Sequence, residues 1–302
     1  MVIKDKLETI VLTGASSFIG MHLANQLAQK YNVVATISKD PAEEIRIERI
    51  KLLKQSGVKI INLDITHAAE VVSVAREFRP SFWFNHAGWV KDYASSNYDS
   101  NYADQVHLNS LPDLFKTLKE IGTKGFIGTG SSMEYSDSEN PHREDEVCSP
   151  TTAYGASKLR QTQLSLELGK KYNLNTAIIR VFIPYGELDS PSKMLPGLLR
   201  SLEKGEKFPL SPGLQVRSFI AVEKLIAIYL KIKEEISKNK VRFEIYNGAY
   251  DPELSLKQFI LNQVNQRLLN TTLLDFDALP LRKTEVLFSF ADTHKVRKLL
   301  EE

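Results

Sequence analysis

The sequence has almost no cysteine and no long apolar run. Cys148 is the single cysteine among the 302 residues, so the chain cannot close an internal disulfide. No stretch approaches the roughly 18 consecutive apolar residues that a membrane helix needs, and the first residues lack the apolar core of a secretion signal. We therefore expect a cytoplasmic protein that does not enter a membrane.

An excess of charge of either sign is also lacking. The 39 basic and 37 acidic residues are spread along the chain and leave a formal net charge of +2. Such a balance creates no field that would attract nucleic acid. Low-complexity stretches and repeats are lacking too, and no metal site is predicted. With 42% hydrophobic residues, the chain is expected to be globular, and its length allows roughly two domains.

Short β-branched runs alternate with helical patterns in the first half of the sequence. This alternation is typical of a parallel sheet with helices on both faces. The strands are predicted at Thr9–Thr13, Asn32–Ile37, Val58–Asn62, Ser81–His86, Lys124–Thr129 and Asn175–Val181. The helices between them are predicted at Phe18–Lys30, Glu43–Gln55, Ala68–Phe78, Ser100–Ile121 and Ala153–Lys171. The pattern predicts an α/β doubly wound fold of the Rossmann type over residues 1–183.

The regularity decays after Pro184, where prolines punctuate shorter segments. Helices are predicted there at Lys193–Lys204, Val222–Ser237 and Ser255–Leu268. We expect residues 184–302 to form mainly a smaller, irregular lobe that binds substrate beyond the carboxyl ends of the strands. Some of its C-terminal segments are allowed to return to the Rossmann domain.

A glycine loop lies between the first strand and the first helix. Gly14 permits a sharp turn, and Gly20 lets the helix approach the sheet. Free N–H groups and the positive end of the helix dipole then face a pyrophosphate. The loop therefore predicts a dinucleotide site, and the alternative is an ordinary turn between a strand and a helix. The remaining predicted cofactor contacts of this loop are Ser16, Ser17, Phe18 and Ile19.

The end of the second strand bears on the choice of cofactor. An acidic residue there would bind the ribose 2′-hydroxyl of NAD. This sequence has Ser38 and Lys39 instead, which favour the 2′-phosphate of NADP. Asp40 is close enough to reverse this preference. We predict NADP(H), with NAD(H) as the alternative.

Two later strand ends fit the same cofactor. Asp64 and Ile65 follow the third strand, where Asp64 is placed to accept from the adenine amino group. His86, Ala87 and Gly88 follow the fourth strand, where small residues would admit the cofactor ribose. The ring of His86 is equally compatible with a packed core histidine, and we assign it no chemistry.

Tyr154 and Lys158 are the candidate catalytic pair. Their spacing places both on one face of a predicted helix. A nearby ammonium favours the phenolate, so the tyrosine can act as general base in oxidation or as general acid in reduction. The alternative is a surface tyrosine beside a solvated lysine. Ser131, at the end of the fifth strand, is the candidate to hydrogen-bond the reacting oxygen.

Four motifs follow one another along the chain, namely T-G-x-x-x-F-I-G, S-S-x-x-x-Y, Y-G-x-S-K and R-x-F-x-P-Y-G. In this order they resemble the extended short-chain dehydrogenase/reductase family, in its branch of nucleotide-sugar epimerases, dehydratases and reductases. The resemblance implies that Ser131, Tyr154 and Lys158 occupy the triad positions, that Lys158 also holds the nicotinamide ribose and that Phe182 lies at the cofactor. It further implies a homodimer formed through the helices Ser100–Ile121 and Ala153–Lys171.

Departures from the family pattern bear on the reaction. Ser132 and Met133 stand where the dehydratases carry an Asp-Glu pair, which disfavours dehydration. Ile183 replaces an asparagine that contacts the substrate diphosphate in epimerases. The segment around Arg217 resembles that of bacterial 4-ketoreductases that act on deoxysugar nucleotides, and it implies that Arg217 and Arg282 face a substrate diphosphate. The alternative for each arginine is a solvated surface residue.

Three functions remain open at this point. The first is NADPH-dependent reduction of a keto group on a nucleoside-diphosphate deoxyhexose, with Tyr154 as the acid. The second is an NAD-dependent nucleotide-sugar 4-epimerase. The third is a regulatory protein that binds NADP without turnover, because a fold does not fix a function.

Overall fold

The structure is a computed structural model, and it describes residues 7–38, 43–93, 95–281 and 285–301. Among the helices of these residues, none is both long and apolar enough to cross a bilayer. The strands are β1 (Thr9–Leu12), β2 (Asn32–Ile37), β3 (Lys59–Asn62), β4 (Phe82–Asn85), β5 (Gly125–Ser131), β6 (Asn175–Val181), β7 (Ile183–Tyr185), β8 (Phe208–Pro209), β9 (Val216–Arg217), β10 (Phe219–Ala221), β11 (Phe243–Gly248), β12 (Leu254–Ser255), β13 (Leu274–Asp275) and β14 (Phe288–Ser289). The α-helices are α1 (Phe18–Ala28), α2 (Glu44–Gln55), α3 (Ala68–Phe78), α4 (Ser100–Leu108), α5 (Leu111–Glu120), α6 (Ala153–Tyr172), α7 (Met194–Glu203), α8 (Val222–Ser237), α9 (Leu256–Gln266) and α10 (His294–Glu301).

The main sheet is parallel and has seven strands in the order β11-β6-β5-β4-β1-β2-β3. The six strands predicted from the sequence are confirmed in it, and so is the Rossmann-type α/β fold. The strand order reverses between β1 and β4. In an open parallel sheet, ligands bind beyond the carboxyl ends of the strands at this switch point.

The sheet is buried on both faces, which is why its strands consist mainly of apolar residues. Ile10 and Leu12 of β1 pack with α1, α8 and α10 in one core cluster. Val11, between them, points to the other face and packs with α3, α5 and α6. Alternate residues of the same strand therefore anchor helices on opposite sides of the sheet.

The predicted helix Ser100–Ile121 is wrong in its continuity, because the chain forms α4 and α5 instead. Pro112 lies in the first turn of α5. A proline ring clashes with the carbonyl four residues earlier, here that of Leu108, and it supplies no N–H. The helix therefore stops at Leu108 and begins again at Leu111.

The strand β11 is an element that the sequence pattern does not predict. It extends the main sheet beyond β6, with Phe243 paired to Thr176 and Gly248 to Val181. The residues between β6 and β11 include β7, which pairs with β10, and α7. The helix α9, which follows β11, packs with α7 in a small separate core. The buried members of that core are Leu198, Leu202, Leu210, Ile260 and Val264.

Candidate active site

The glycine loop brings the ends of β1 and β4 into contact. Gly14 has φ +74°, in the left-handed region that favours glycine, and a Cβ there would lie 2.8 Å from the Cα of Ala87. A Cβ on Gly20 would lie 2.4 Å from the carbonyl oxygen of Gly14. Both positions therefore require glycine for a close backbone approach, as the sequence indicated.

The N-terminus of α1 points its backbone N–H groups out of this loop. Ser17 is the N-cap, and its Oγ accepts from the N–H of Gly20 at 3.1 Å. The side chain of Phe18 is buried and Ile19 packs against the same core. These two residues consequently face a ligand only through their N–H groups, which have no partner within the helix.

Arg46, in the first turn of α2, links the glycine loop to the end of β2. Its Nη2 donates to the Oγ of Ser16 at 2.8 Å and to the Oγ of Ser38 at 3.1 Å. A guanidinium thus lies where the sequence suggested only Ser38 and Lys39. Lys39 and Asp40 lie outside the described residues. Arg46 was missed because its helix carries no recognisable motif.

Asp64 and Ile65 lie at the end of β3. Oδ1 of Asp64 accepts from the backbone N–H of Thr66 at 2.9 Å and from its hydroxyl at 2.7 Å. The aspartate is exposed and Ile65 is half-buried. The carboxylate of Asp64 is therefore held by a local turn at the carboxyl edge of the sheet, and its contact with adenine stays a prediction.

The segment after β4 is held by hydrogen bonds to Thr13, whose Oγ1 accepts from the N–H groups of His86 and Ala87, both at 3.0 Å. The ring of His86 is paired at both nitrogens, with Nδ1 at 2.8 Å from Thr129 Oγ1 and Nε2 at 3.0 Å from Ser17 Oγ. Burial, and then the charge of Lys158, lowers the pKa of His86 to about 4. The ring is therefore neutral at pH 7. The third residue predicted in this segment, Gly88, is exposed.

Tyr154 and Lys158 lie on consecutive turns of α6. Nζ of Lys158 donates to the carbonyl oxygen of Thr129 at 2.6 Å and also contacts Oε1 of Gln161. Burial lowers the pKa of Lys158 to about 8, and the charge of Glu134 opposes this shift. At neutral pH the side chain remains largely an ammonium that faces the end of β5.

Burial raises the pKa of Tyr154, and a hydrogen bond with the side chain of Ser131 acts in the opposite direction. Ser131 is the last residue of β5 and is 8% exposed. The structure thus brings together the predicted triad of Ser131, Tyr154 and Lys158. Without a ligand the tyrosine is protonated at pH 7, the form that donates a proton.

Two further tyrosines surround Tyr154. The rings of Tyr93 and Tyr98 contact that of Tyr154 edge to face, with centroids 5.7 and 5.8 Å away. The hydroxyl of Tyr98 lies 3.1 Å from Oγ of Ser157 on α6, while Tyr93 is 49% exposed. Sequence reasoning missed both, because their loop lies far from α6 in the sequence.

A buried ion pair supports the end of β5 from behind. Glu134 is fully buried, and its Oε2 accepts from Nε of Arg180 at 2.8 Å. Its Oε1 accepts from the N–H of Ser131 at 2.9 Å. Burial disfavours the charge of Arg180, but Glu134 and Tyr135 outweigh it and raise the pKa of the arginine. The pair fixes the backbone that carries the Ser131 hydroxyl.

The remaining predicted residues near the end of β5 and after β6 differ in how far they are exposed. Ser132 and Met133 form the 3₁₀ turn that follows Ser131, and Ile183 is 38% exposed in β7. The ring of Phe182 packs in a small buried cluster with Tyr135.

Arg217 donates to backbone carbonyls rather than standing free. Its Nη1 donates to those of Val216 at 2.9 Å and of Leu287 at 3.0 Å. Its Nη2 donates to the carbonyl of Val286 and lies 3.5 Å from Oε1 of Glu285. To contact a substrate diphosphate, this guanidinium would have to exchange some of these partners. Arg282 lies outside the described residues.

The loop after β1, the ends of β4 and β5 and the first turns of α6 meet at one edge of the sheet, and together with the strand order they define a Rossmann-type protein. The chain belongs to the NAD dependent epimerase/dehydratase family, whose model matches residues 10–247. CDP-abequose synthase of Salmonella muenchen is 24% identical over 306 residues, which cover 98% of this chain and 92% of the relative. UDP-glucuronate 4-epimerase of Thermodesulfobacterium geofontis is 24% identical over 298 residues, with 96% and 89% covered.

Solved structures share the whole fold. The UDP-glucuronic acid 4-epimerase of Bacillus cereus, in complex with UDP-glucuronic acid and NAD, superimposes with a TM-score of 0.83 at 22% identity, covering 97% of this chain and 93% of the other. The UDP-N-acetylglucosamine 4-epimerase of Methanobrevibacter ruminantium gives 0.83 at 19% identity, with 97% and 92% covered. At these identities the likeness establishes the fold.

Proposed function

We propose that the protein is an NADPH-dependent reductase that converts a keto group of a nucleoside-diphosphate deoxyhexose into a hydroxyl. The observation that carries this proposal is the position of Arg46. Its guanidinium spans Ser16 of the glycine loop and Ser38 after β2, where a 2′-phosphate on the adenosine ribose of the cofactor would lie. A guanidinium fork suits such a phosphate in charge and shape.

The described residues fit a dinucleotide along its whole length. Arg46 with Ser16 and Ser38 takes the adenosine end, and the first turn of α1 takes the diphosphate. Lys158, held against the end of β5, takes the nicotinamide ribose. When bound, the reduced cofactor supplies the hydride for the carbonyl carbon.

The residues of the chain supply the proton and hold the carbonyl. Tyr154 donates its phenolic proton to the carbonyl oxygen as the hydride arrives at the carbon. Ser131 donates a hydrogen bond to the same oxygen and stabilises its developing charge. The ammonium of Lys158 favours the phenolate that the transfer leaves behind. Protonation from solvent then restores Tyr154 for the next turnover.

A nucleotide sugar is the substrate class that the family relatives favour. CDP-abequose synthase and the 4-epimerases carry nucleotide sugars in their names. Tyr93 and Tyr98 would line the sugar side of Tyr154 with aromatic surface, which suits the apolar carbons of a deoxygenated ring. Ser132 and Met133, in place of an acid pair, disfavour elimination of water.

A nucleotide-sugar 4-epimerase is the second candidate. The solved relatives favour it, because the Bacillus cereus enzyme holds NAD with its substrate. An epimerase must retain one cofactor through oxidation and reduction, whereas a reductase consumes NADPH and releases NADP. The two candidates therefore differ in whether the cofactor is used up.

The decisive experiment incubates the purified protein with 4-keto-6-deoxy sugar nucleotides and either NADPH or NADH, and follows the absorbance of the reduced cofactor. We expect stoichiometric loss of NADPH and slower loss of NADH. Tightly bound NAD in the purified protein, together with interconversion of 4-epimers and no net loss of NADPH, would establish the epimerase instead.

Replacement of Tyr154 by phenylalanine tests the role of the residue. We expect kcat to fall by about 100- to 10,000-fold, the usual contribution of a positioned acid. The Kd for NADPH should change little, because only the proton donor is removed. Undiminished reductase activity in Tyr154→Phe would refute the catalytic role of this tyrosine.

A further inference from the structure

Four polar side chains form a continuous line of hydrogen bonds behind the cofactor loop. The hydroxyl of Tyr229, on α8, lies 2.7 Å from Oγ1 of Thr129 at the end of β5. The same Oγ1 lies 2.8 Å from Nδ1 of His86 after β4. Nε2 of His86 lies 3.0 Å from Oγ of Ser17, the N-cap of α1. Proton transfer from Tyr154 uses none of these four groups.

Burial determines which group donates and which accepts in each of these hydrogen bonds. Tyr229 is 1% exposed, and among the described residues Thr129 is the one hydrogen-bond partner found for its hydroxyl. A buried hydroxyl hydrogen without an acceptor is unfavourable, so Tyr229 donates to Thr129. Thr129 then donates to Nδ1 of His86, and the Nε2–H of the neutral ring donates to Ser17.

The opposite direction is unfavourable. If Nδ1 of His86 donated to Thr129, the hydroxyl hydrogen of either Thr129 or Tyr229 would have no acceptor in the described part of the chain. Ser17 would then use its own hydrogen to donate to Nε2. In the favourable direction, each hydrogen inside the network has an acceptor.

Ser17 is where the network ends. Its Oγ accepts from Nε2–H of His86 and from the N–H of Gly20 at 3.1 Å. Both lone pairs of the oxygen are then occupied, and its own hydrogen is left over. That hydrogen lies at the N-terminus of α1, among N–H groups that face an anion.

We propose that Tyr229, Thr129 and His86 are positioning residues that fix the hydroxyl of Ser17 as a donor to the diphosphate of the dinucleotide. The proposal rests on the proposed function for the presence of that dinucleotide. It assigns a purpose to the side chains of Ser17 and His86, which act as a pair. The burial that lowers the pKa of His86 to about 4 supports it, because a protonated ring would have no acceptor nitrogen for Thr129.

The test measures the Kd of NADPH by fluorescence titration for the wild type and four variants. Ser17→Ala removes the donor, and Thr129→Val with Tyr229→Phe removes the source of direction without leaving an unpaired buried hydroxyl. We expect Ser17→Ala and the double variant each to raise the Kd by about tenfold, the usual loss of affinity for one hydrogen bond to a charged group. The triple variant should bind no more weakly than Ser17→Ala. Thr129→Ser, which keeps the hydroxyl, should stay within about twofold of the wild type.

A second ligand separates positioning from general loss of structure. Adenosine 2′-monophosphate carries the phosphate that faces Arg46 but has no diphosphate, so its affinity should be the same in all variants. Equal weakening for both ligands, or additive losses in the triple variant, would overturn the proposal. If the Thr129/Tyr229 double variant fails to fold, His86→Asn replaces it. The amide still reaches Thr129 but not Ser17, and it should weaken NADPH binding as Ser17→Ala does.

Failure of the proposed function gives a different result. A wild-type protein that neither binds NADPH nor consumes it would refute the reductase. A wild-type protein that binds NADPH, with variants that bind it equally well, would refute only the positioning network.

Discussion

At the scale of single residues, Arg46 joins two segments that are distant in the sequence. We predict that Arg46→Ala raises the Kd of NADPH by about 10- to 100-fold, because a charge-assisted hydrogen bond contributes about 1.5–3 kcal/mol. The Kd of NADH should change little, since NADH has no 2′-phosphate. Titration of both cofactors measures the change.

An arginine elsewhere on the surface provides the control. Arg76 lies on α3, pairs with Glu120 and is exposed, so Arg76→Ala should leave both affinities unchanged. An equal loss for NADPH and NADH in Arg46→Ala would contradict the assignment to the 2′-phosphate.

Lys158 is the residue whose burial works against folding. Its pKa falls from 10.5 to about 8, so between these pH values the unfolded chain binds the proton while the folded chain does not. Stability of the wild type therefore rises across this window. We predict that Lys158→Met raises the free energy of unfolding at pH 7 by up to about 3 kcal/mol, and that this gain disappears as the pH approaches 10.5.

Urea unfolding of the ligand-free protein at several pH values measures this effect. Lys170, exposed on the same helix, supplies the matched control, because Lys170→Met should shift stability by less than about 0.5 kcal/mol at every pH. A gain in Lys158→Met that does not depend on pH would show that burial of the ammonium is not its cause. The variant should also lose activity.

The sequence predicts residues whose identity is set by local chemistry. Gly14 and Gly20 are required by close backbone approaches, and Tyr154 with Lys158 by the spacing of one helix. Arg46 and Tyr229 could not be predicted, because their partners, Ser38 and Thr129 among them, are brought to them only by the order of the strands. Long-range polar contacts leave no periodic signal in a single sequence.

At the scale of elements, Gly155 sets the distance between α6 and the end of β5. A Cβ there would lie 2.0 Å from the carbonyl oxygen of Met133. We predict that Gly155→Ala moves the first turn of α6 away from Ser131. Because the acid and the serine then separate, kcat falls at least about 100-fold, while the glycine loop still binds NADPH.

A glycine in another helix isolates the steric cause. Gly197 lies inside α7, and its nearest neighbours would be 3.9 Å from a new Cβ. Gly197→Ala should therefore keep full activity and gain about 0.5–1 kcal/mol of stability. Steady-state kinetics and thermal unfolding of both variants provide the measurement. Normal kcat in Gly155→Ala would show that α6 tolerates the displacement.

Elements with strong periodicity were predictable, and elements defined by neighbours were not. The six β-branched runs became sheet strands because each is flanked by a helix that covers it. The break between α4 and α5 depends on one ring, that of Pro112, within a pattern that is otherwise helical. The strand β11 is only half-buried over its first three residues, so its place beside β6 comes from tertiary pairing rather than from its own pattern.

At the scale of the whole molecule, the division after residue 183 can be tested directly. The helix α8 buries Leu225, Ile228 and Ile232 completely against the main sheet, and β11 covers the edge of β6. We predict that a chain of residues 1–183 does not unfold cooperatively, because it lacks both. Circular dichroism with heating, compared with the full chain, measures the transition. A sharp transition in the fragment would establish the first 183 residues as an independent domain.

The return of β11 and α8 to the main sheet also limits how far the two parts of the molecule can move apart. The backbone crosses from the main sheet to the smaller core, or back, four times. The crossings follow β6, β10, β11 and β14, and they lead to β7, α8, β12 and α10 respectively. A hinge needs only a few residues that absorb the rotation, whereas four separate crossings brace the two parts against one another. For the proposed reaction, we therefore expect substrate to enter through local movement of surface side chains such as Tyr93 rather than through separation of two halves.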